Sequence, residues 1–359
     1  MKICMVTGGS GGHIYPALTF ADYVKENRNY EIFFIGNDHK MEATIIPQAG
    51  YEFYAIHNHG LQGSVFDKIK ALFGQFSAIL EARKHLKRLK PDVVFSFGGY
   101  VTLPVVLAAK SLGIDIVIHE QNAFVGKANR VASRYAKVLF TCYEEAFSDD
   151  DRTFLFGNPR AALADKVDVN RDEFDRIGLN QNLKTVLCVM GSQGSQTMNE
   201  VFKEMIKLYE DPKYQIVFVT GKNDYETFIN EINELPNNVY VEGFVDQGNL
   251  LPFVDLIVAR AGASTITEIV AFDLPSILIP SPYVADNHQF HNASALSSKN
   301  AAILYEEKDV NAQGLIDKIE SVVNDSKYCE TLTLNLKSFK TPNVNGNILE
   351  KIEEIVDVT

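Results

Sequence analysis

The sequence predicts an α/β protein built from two doubly wound parallel-sheet domains. Three observations carry this reading. Short apolar, β-branched runs alternate with helix-length segments along all 359 residues. The alternation breaks once, over the polar stretch 161–182, and then restarts. Each half also opens with a strand that runs directly into a glycine-rich loop, at 8–12 and at 191–195.

In order, the first half offers the strands "ICMVT", "EIFFIG", "EFYAI", "DVVFSF", "IDIVIH" and "AKVLFT", with helical patterns between most of them. Strands that are apolar throughout belong to parallel sheets covered on both faces. The second half repeats the pattern with "TVLCVM", "QIVFVT", "VYVEGF", "LIVAR", "PSILIP" and "AAILY". The expected domains are therefore 1–160 and 161–342. The amphipathic segment within 343–359 is expected to pack back on the first. Ligands of such sheets bind beyond the carboxyl ends of the strands, and the cleft between the domains is the expected site.

Bulk properties narrow the classes of function. The chain is longer than one hydrophobic core supports, which agrees with two domains. Net charge is −12 and the composition is 46% hydrophobic, which argues against nucleic acid as a partner. Cys4, Cys142, Cys188 and Cys329 lie far apart, as reduced thiols of a cytosolic protein do. The start "KICMVT" shows no signal-peptide pattern. The uncharged run Val93–Ala109 is interrupted by Gly98, Gly99 and Pro104, and its 17 residues are too few to span a bilayer. A soluble chain is expected, with surface attachment left open.

The loop Gly8-Gly9-Ser10-Gly11-Gly12 sits where a phosphate would bind, since glycine admits close approach to backbone N–H groups. It fits neither common template. A P-loop would place lysine where His13 stands, and a dinucleotide fingerprint would need glycine at Ile14. Gly191-Ser192-Gln193-Gly194-Ser195 and Arg260-Ala261-Gly262-Ala263-Ser264-Thr265 follow later strands in the same manner. Strand-to-helix turns use glycine anyway, but three such loops point to a diphosphate.

Two roles fit His13 from position: a neutral general base at a helix N-terminus, which its place favours, or a hydrogen-bonding support of its loop. Two roles fit Glu268 as well. Thr265-Ile266-Thr267-Glu268 matches a capping box, and a carboxylate here would also hold ribose hydroxyls. His57 and His59 read as loop residues, and no spacing, including that of His288 and His291, matches a metal site. No metal is expected.

Residues 65–90 carry seven Lys/Arg against Asp67 and Glu81, a local +5. Ile69, Leu72, Phe73, Phe76, Ile79 and Leu80 repeat at helical spacing. Either this stripe faces the core, or it enters a lipid surface while the basic residues meet anionic headgroups.

Taken in order, "GGSGGHIYPAL", "FGGYVTLPVVLAA", "HEQNAFVGKANR", "GNPR", "GSQGS", "RAGASTITE" and "DNHQFHNA" resemble the MurG-type N-acetylglucosaminyltransferases of peptidoglycan synthesis. The resemblance implies a GT-B architecture of two Rossmann-like domains. It implies inverting transfer of GlcNAc from UDP-GlcNAc to the C4 hydroxyl of MurNAc on undecaprenyl-diphosphate (lipid I), giving lipid II, with no cofactor required. Cell-wall biogenesis, cell shape and cell division would then depend on it.

Residue by residue, the resemblance implies that His13 is catalytic. It implies that Ser10, Gly11, Gly12, Asn122, Arg160, Ser192, Val245, Ala263, Ser264, Thr265, Glu268 and Gln289 bind the donor. Glu268 would hold the ribose, the Val245 backbone the uracil edge, and Gln289 the sugar hydroxyls. Ile69, Phe73, Phe76 and Ile79 would form a patch on an anionic membrane, at the cytoplasmic face. One departure is Met190, where the family often has glycine. A UDP-GlcNAc 2-epimerase-like enzyme and a non-catalytic nucleotide-sugar binder are the alternatives.

Overall fold

A computed structural model describes residues 1–58, 65–162, 170–191, 194–209, 213–232 and 234–356, with side chains left aside over 65–73. The chain divides into two compact units, Met1–Ala162 with Thr341–Thr359, and Leu163–Lys340.

The first unit contains β1 (Lys2–Val6), α1 (Gly11–Asn27), β2 (Glu31–Asn37), α2 (Glu42–Gln48), β3 (Glu52–Ile56) and α3 (Val65–Leu89). It continues with β4 (Val93–Ser96), α4 (Thr102–Leu112), β5 (Asp115–Glu120), α5 (Lys127–Ala132), β6 (Val138–Thr141) and β7 (Thr153–Leu155). The sheet order is β3-β2-β1-β4-β5-β6-β7, and every pairing is parallel. Strand β7 was not expected: at three residues, on the sheet edge, "TFL" is too short to stand out as an apolar run.

Alternation along β1 divides the core. Ile3 and Met5 pack with Phe20, Phe34 and Phe95 on one face. Cys4 and Val6 pack with Ile35, Ala82 and Leu86 on the other. The C-terminal helix Val344–Ile355 closes the first face through Ile348, Leu349 and Ile352, all buried. Each such side chain contributes roughly 1.5–3 kcal/mol on burial. Arg28 adds a two-pronged contact to Glu353, at 2.7 and 3.3 Å.

Helix α3 meets the core through small residues. Its inward seam is Ala78, Ala82 and Leu86, spaced i, i+4, i+8, with Ile79 partly buried beside it. Two alanines let α3 lie close on α4, and Arg83 Nε donates to Ser111 Oγ at 3.0 Å to fix the pair. Ile79 is thus partly covered by the core of the first unit. Phe76 and Leu80 point outward, 63% and 53% exposed. The side chains of Ile69 and Phe73, and all of His59, lie outside the described residues.

The strands of the second unit are β8 (Lys184–Val189), β9 (Tyr214–Val219), β10 (Val239–Glu242), β11 (Leu256–Ala259), β12 (Ser276–Leu278) and β13 (Ile303–Leu304). Their sheet order is β10-β9-β8-β11-β12-β13. Met190 is buried in the core with Phe202 and Phe218, so this departure fills a hydrophobic position. In both sheets the order reverses at one point, between β1 and β4 and between β8 and β11. Such a reversal leaves a crevice at the carboxyl strand ends, and the glycine loops emerge there.

Candidate active site

In the first unit, the loop after β1 is built around a residue that sequence reading missed. Glu42 is fully buried. Its Oε2 accepts the Gly9 N–H at 3.1 Å and its Oε1 accepts the Asn37 N–H at 3.1 Å. Asn37 Oδ1 in turn accepts the Asn58 N–H, and Asn58 Nδ2 donates to Tyr100 O at 2.6 Å. One buried network thus joins the loops that follow β1, β2, β3 and β4.

Ser10 is the extended N-cap residue of α1, and Gly11 and Gly12 are its first two helical residues. Helix geometry gives N–H groups in that turn no ordinary intrahelical acceptor. His13 lies in the same turn, with Nδ1 3.1 Å from Gly8 O and 3.3 Å from Ser10 Oγ. A carbonyl oxygen can only accept, so the contact to Gly8 places the proton on Nδ1 and leaves Nε2 as the basic nitrogen. Both sequence roles of His13 are therefore compatible: one nitrogen supports the loop while the other can take a proton.

The His13 ring sits over Gly98, where a Cβ would come 3.1 Å from Nε2. Gly98 and Gly99 have φ of +105° and +94°, and a side chain on Gly99 would strike Gly8 O. Glycine is required here both by backbone conformation and by the close approach of two loops.

The "HEQN" loop after β5 is organised by Glu120, another nearly fully buried carboxylate. Its Oε1 accepts the backbone N–H and the side-chain amide of Asn122, each at 3.1 Å. Its Oε2 accepts the Gly126 N–H and Asn129 Nδ2 at 3.1 and 2.9 Å. Asn129 Nδ2 would also lie 3.6 Å from a Cβ on Gly98, which brings this loop beside His13. His119 is buried, stacks on Phe97 at 5.3 Å and donates from Nε2 to Gly157 O at 2.9 Å. Burial lowers its pKa to about 4. Arg160 lies in the first unit with its guanidinium 5.2 Å from the Tyr15 ring centre.

In the second unit, Gly262 is the extended N-cap of helix Ala263–Ala271, with no side-chain cap. This corrects the capping-box alternative: Thr265 is the third helical residue, not the cap, so Thr265 and Glu268 do not form a capping box. Ala263, Ser264 and Thr265 form the exposed-donor turn of that helix. The Ser264 Oγ is buried and has no hydrogen-bond partner among the described residues.

Arg260 braces this region. It donates to Ile279 O at 3.1 Å and to Ser195 Oγ at 2.9 Å, and it pairs with Glu307. Ser195 also caps helix Gln196–Leu208. Ser192 lies outside the described residues. Val245 is buried just after β10, and Gln289 Oε1 accepts the Ser281 N–H at 2.8 Å. A cavity of about 600 Å³ opens here, lined by Thr197, Pro280, Tyr283, Asn287, Phe290 and Lys308. Asn287 and Phe290 lie in the "DNHQFHNA" motif, whereas Thr197, Pro280, Tyr283 and Lys308 carry no spacing signal and did not stand out in the sequence.

Two parallel sheets with helix N-termini and glycine loops gathered at their switch points define a GT-B type of glycosyltransferase fold. Comparison with known proteins narrows this. The glycosyltransferase family 28 N-terminal domain matches residues 3–141 and the family 28 C-terminal domain matches 185–345. The chain is 38% identical over 363 residues to the UDP-N-acetylglucosamine–N-acetylmuramyl-(pentapeptide) pyrophosphoryl-undecaprenol N-acetylglucosamine transferase of Halalkalibacterium halodurans, covering 99% of both. It is 34% identical to an enzyme of the same name from Bacillus cereus, covering 99% of this chain and 100% of that one. The crystal structure of Acinetobacter baumannii MurG superposes with a TM-score of 0.80 at 26% identity, covering 98% of this chain and 99% of that one. The chain belongs to glycosyltransferase family 28, among its MurG-type N-acetylglucosamine transferases.

Proposed function

We propose that this chain transfers GlcNAc from UDP-GlcNAc to the C4 hydroxyl of MurNAc in undecaprenyl-diphospho-MurNAc-pentapeptide, forming lipid II with inversion at the anomeric carbon. The relatives, named for transfer of N-acetylglucosamine from UDP-N-acetylglucosamine to N-acetylmuramyl-(pentapeptide) pyrophosphoryl-undecaprenol, support the donor, the acceptor and the transfer. The observation that carries the chemistry is the His13 Nδ1 contact to Gly8 O, which leaves Nε2 basic.

In this reading His13 Nε2 takes the proton of the C4 hydroxyl as its oxygen attacks C1. The C1–O bond to UDP breaks through an oxocarbenium-like state, and its electron pair leaves on the β-phosphate. The N–H groups of Ala263, Ser264 and Thr265, at a helix N-terminus, offset the charge that grows on the leaving diphosphate. Ser10, Gly11 and Gly12 offer a second set of backbone donors, and Ser192 and Arg160 add polar contacts to the donor. Glu268 holds the ribose hydroxyls, the Val245 backbone reads uracil, and Asn122 and Gln289 bind GlcNAc hydroxyls. The buried Ser264 hydroxyl without a partner supports a ligand at this turn.

Peripheral attachment to the cytoplasmic face of the membrane completes the reading. No described helix is long and apolar enough to cross a membrane. Phe76 and Leu80 stand exposed on α3 beside Arg83, Lys84 and Lys87, an arrangement suited to an anionic lipid surface. A role in cell shape and division follows from lipid II supply. Radiolabelled UDP-GlcNAc with a lipid I analogue tests the proposal. Label in the lipid product supports it, and label retained on a UDP-sugar of altered stereochemistry contradicts it in favour of an epimerase.

A further inference from the structure

The linear spacing of histidines shows no metal site, yet the fold brings three ligand-type residues together. Asp38 directly follows β2 and His57 directly follows β3. These strands are parallel neighbours, with Asn37 opposite Ile56. Asp38 Oδ1 lies 2.6 Å from His39 Nδ1 and Asp38 Oδ2 lies 2.6 Å from His57 Nδ1. The two imidazole rings are 5.8 Å apart. One donor atom from each residue falls within 4.8 Å of the other two.

We propose that Asp38, His39 and His57 form a binding site for one Zn²⁺ ion at the carboxyl ends of β2 and β3, with water in the remaining position. Two imidazole nitrogens and one carboxylate oxygen make a donor set suited to zinc. Tetrahedral bonds near 2.0–2.1 Å require donor atoms roughly 3.3 Å apart, so small side-chain rotations complete the site.

The supporting backbone is already fixed. The Asn37 N–H is held by buried Glu42, the Asn58 N–H by Asn37 Oδ1, and the His57 N–H by Glu81 at 2.8 Å. Ligands anchored in this way lose little order on binding a metal. The Asn37 and Asn58 bonds belong to the network that holds the first glycine loop. The site is thus a place where a metal would stiffen that frame, separate from the transfer chemistry.

The test uses the full chain, stripped with a chelator and titrated with Zn²⁺ by calorimetry. Co²⁺ absorption reports coordination geometry. The expected result is one equivalent of Zn²⁺ and an intense visible Co²⁺ spectrum. His39→Gln and His57→Gln should each weaken binding at least about tenfold. A paired His288→Gln/His291→Gln variant should bind as the parent does. Circular dichroism confirms that each variant is folded. Binding weaker than about 0.1 mM in the parent overturns the proposal, as does binding unchanged in the His39→Gln/His57→Gln double variant.

Discussion

Glu42 accepts the backbone N–H of Gly9 at 3.1 Å from a fully buried position. Its other oxygen accepts the N–H of Asn37. The carboxylate therefore acts as an internal clamp that shapes the glycine loop from beneath, without being part of it.

Removing that clamp strands a buried donor at Asn37 and a part-buried one at Gly9. Each unsatisfied donor costs about 1–3 kcal/mol, so Glu42→Ala should lower unfolding stability by roughly 2–5 kcal/mol in urea denaturation. Glu42→Gln keeps one acceptor and should fall between. A Glu42→Ala protein as stable as the parent would remove the clamp from the account.

Glu268 can be separated from any capping role because Gly262 caps its helix. Glu268→Ala should raise the donor KM at least about tenfold while leaving turnover at saturating donor within several-fold of the parent. An unchanged donor KM would reject ribose binding.

His119 predicts a pH response. An unfolded histidine titrates near 6.5, whereas burial holds His119 at about 4. A lowered histidine pKa means that the unfolded chain binds the proton first. Stability is thus full above about 6.5 and is lost as pH falls toward 4, by on the order of 3 kcal/mol. His119→Gln, which can still donate to Gly157 O, should flatten that part of the stability profile. A profile of unchanged slope in this variant would contradict the assignment.

Phe76 and Leu80 provide a direct probe of lipid contact. Phe76→Glu with Leu80→Glu should abolish flotation with vesicles rich in anionic phospholipid, while the fold is retained because both side chains point outward. Flotation equal to that of the parent would place the lipid surface elsewhere.

The order of strands and helices was legible because parallel strands buried on both faces read as unbroken apolar runs. Edge strand β7 was not, since three residues cannot establish a run. The glycine loops were legible from composition, but their support was not. Glu42 and Glu120 look like ordinary charged residues until the fold buries them beneath N–H groups. The inward seam of α3 was not legible, because Ala78 and Ala82 are small and easily overlooked in an apolar pattern. The group of Asp38, His39 and His57 was invisible for a related reason: strand pairing, not spacing, unites it.

The central claim is that His13 Nε2 takes the acceptor proton. The most direct measurement is turnover and UDP-GlcNAc affinity of His13→Ala with a lipid I analogue. The account predicts donor affinity within several-fold of the parent and turnover reduced by at least about a hundredfold. Near-normal turnover would contradict it.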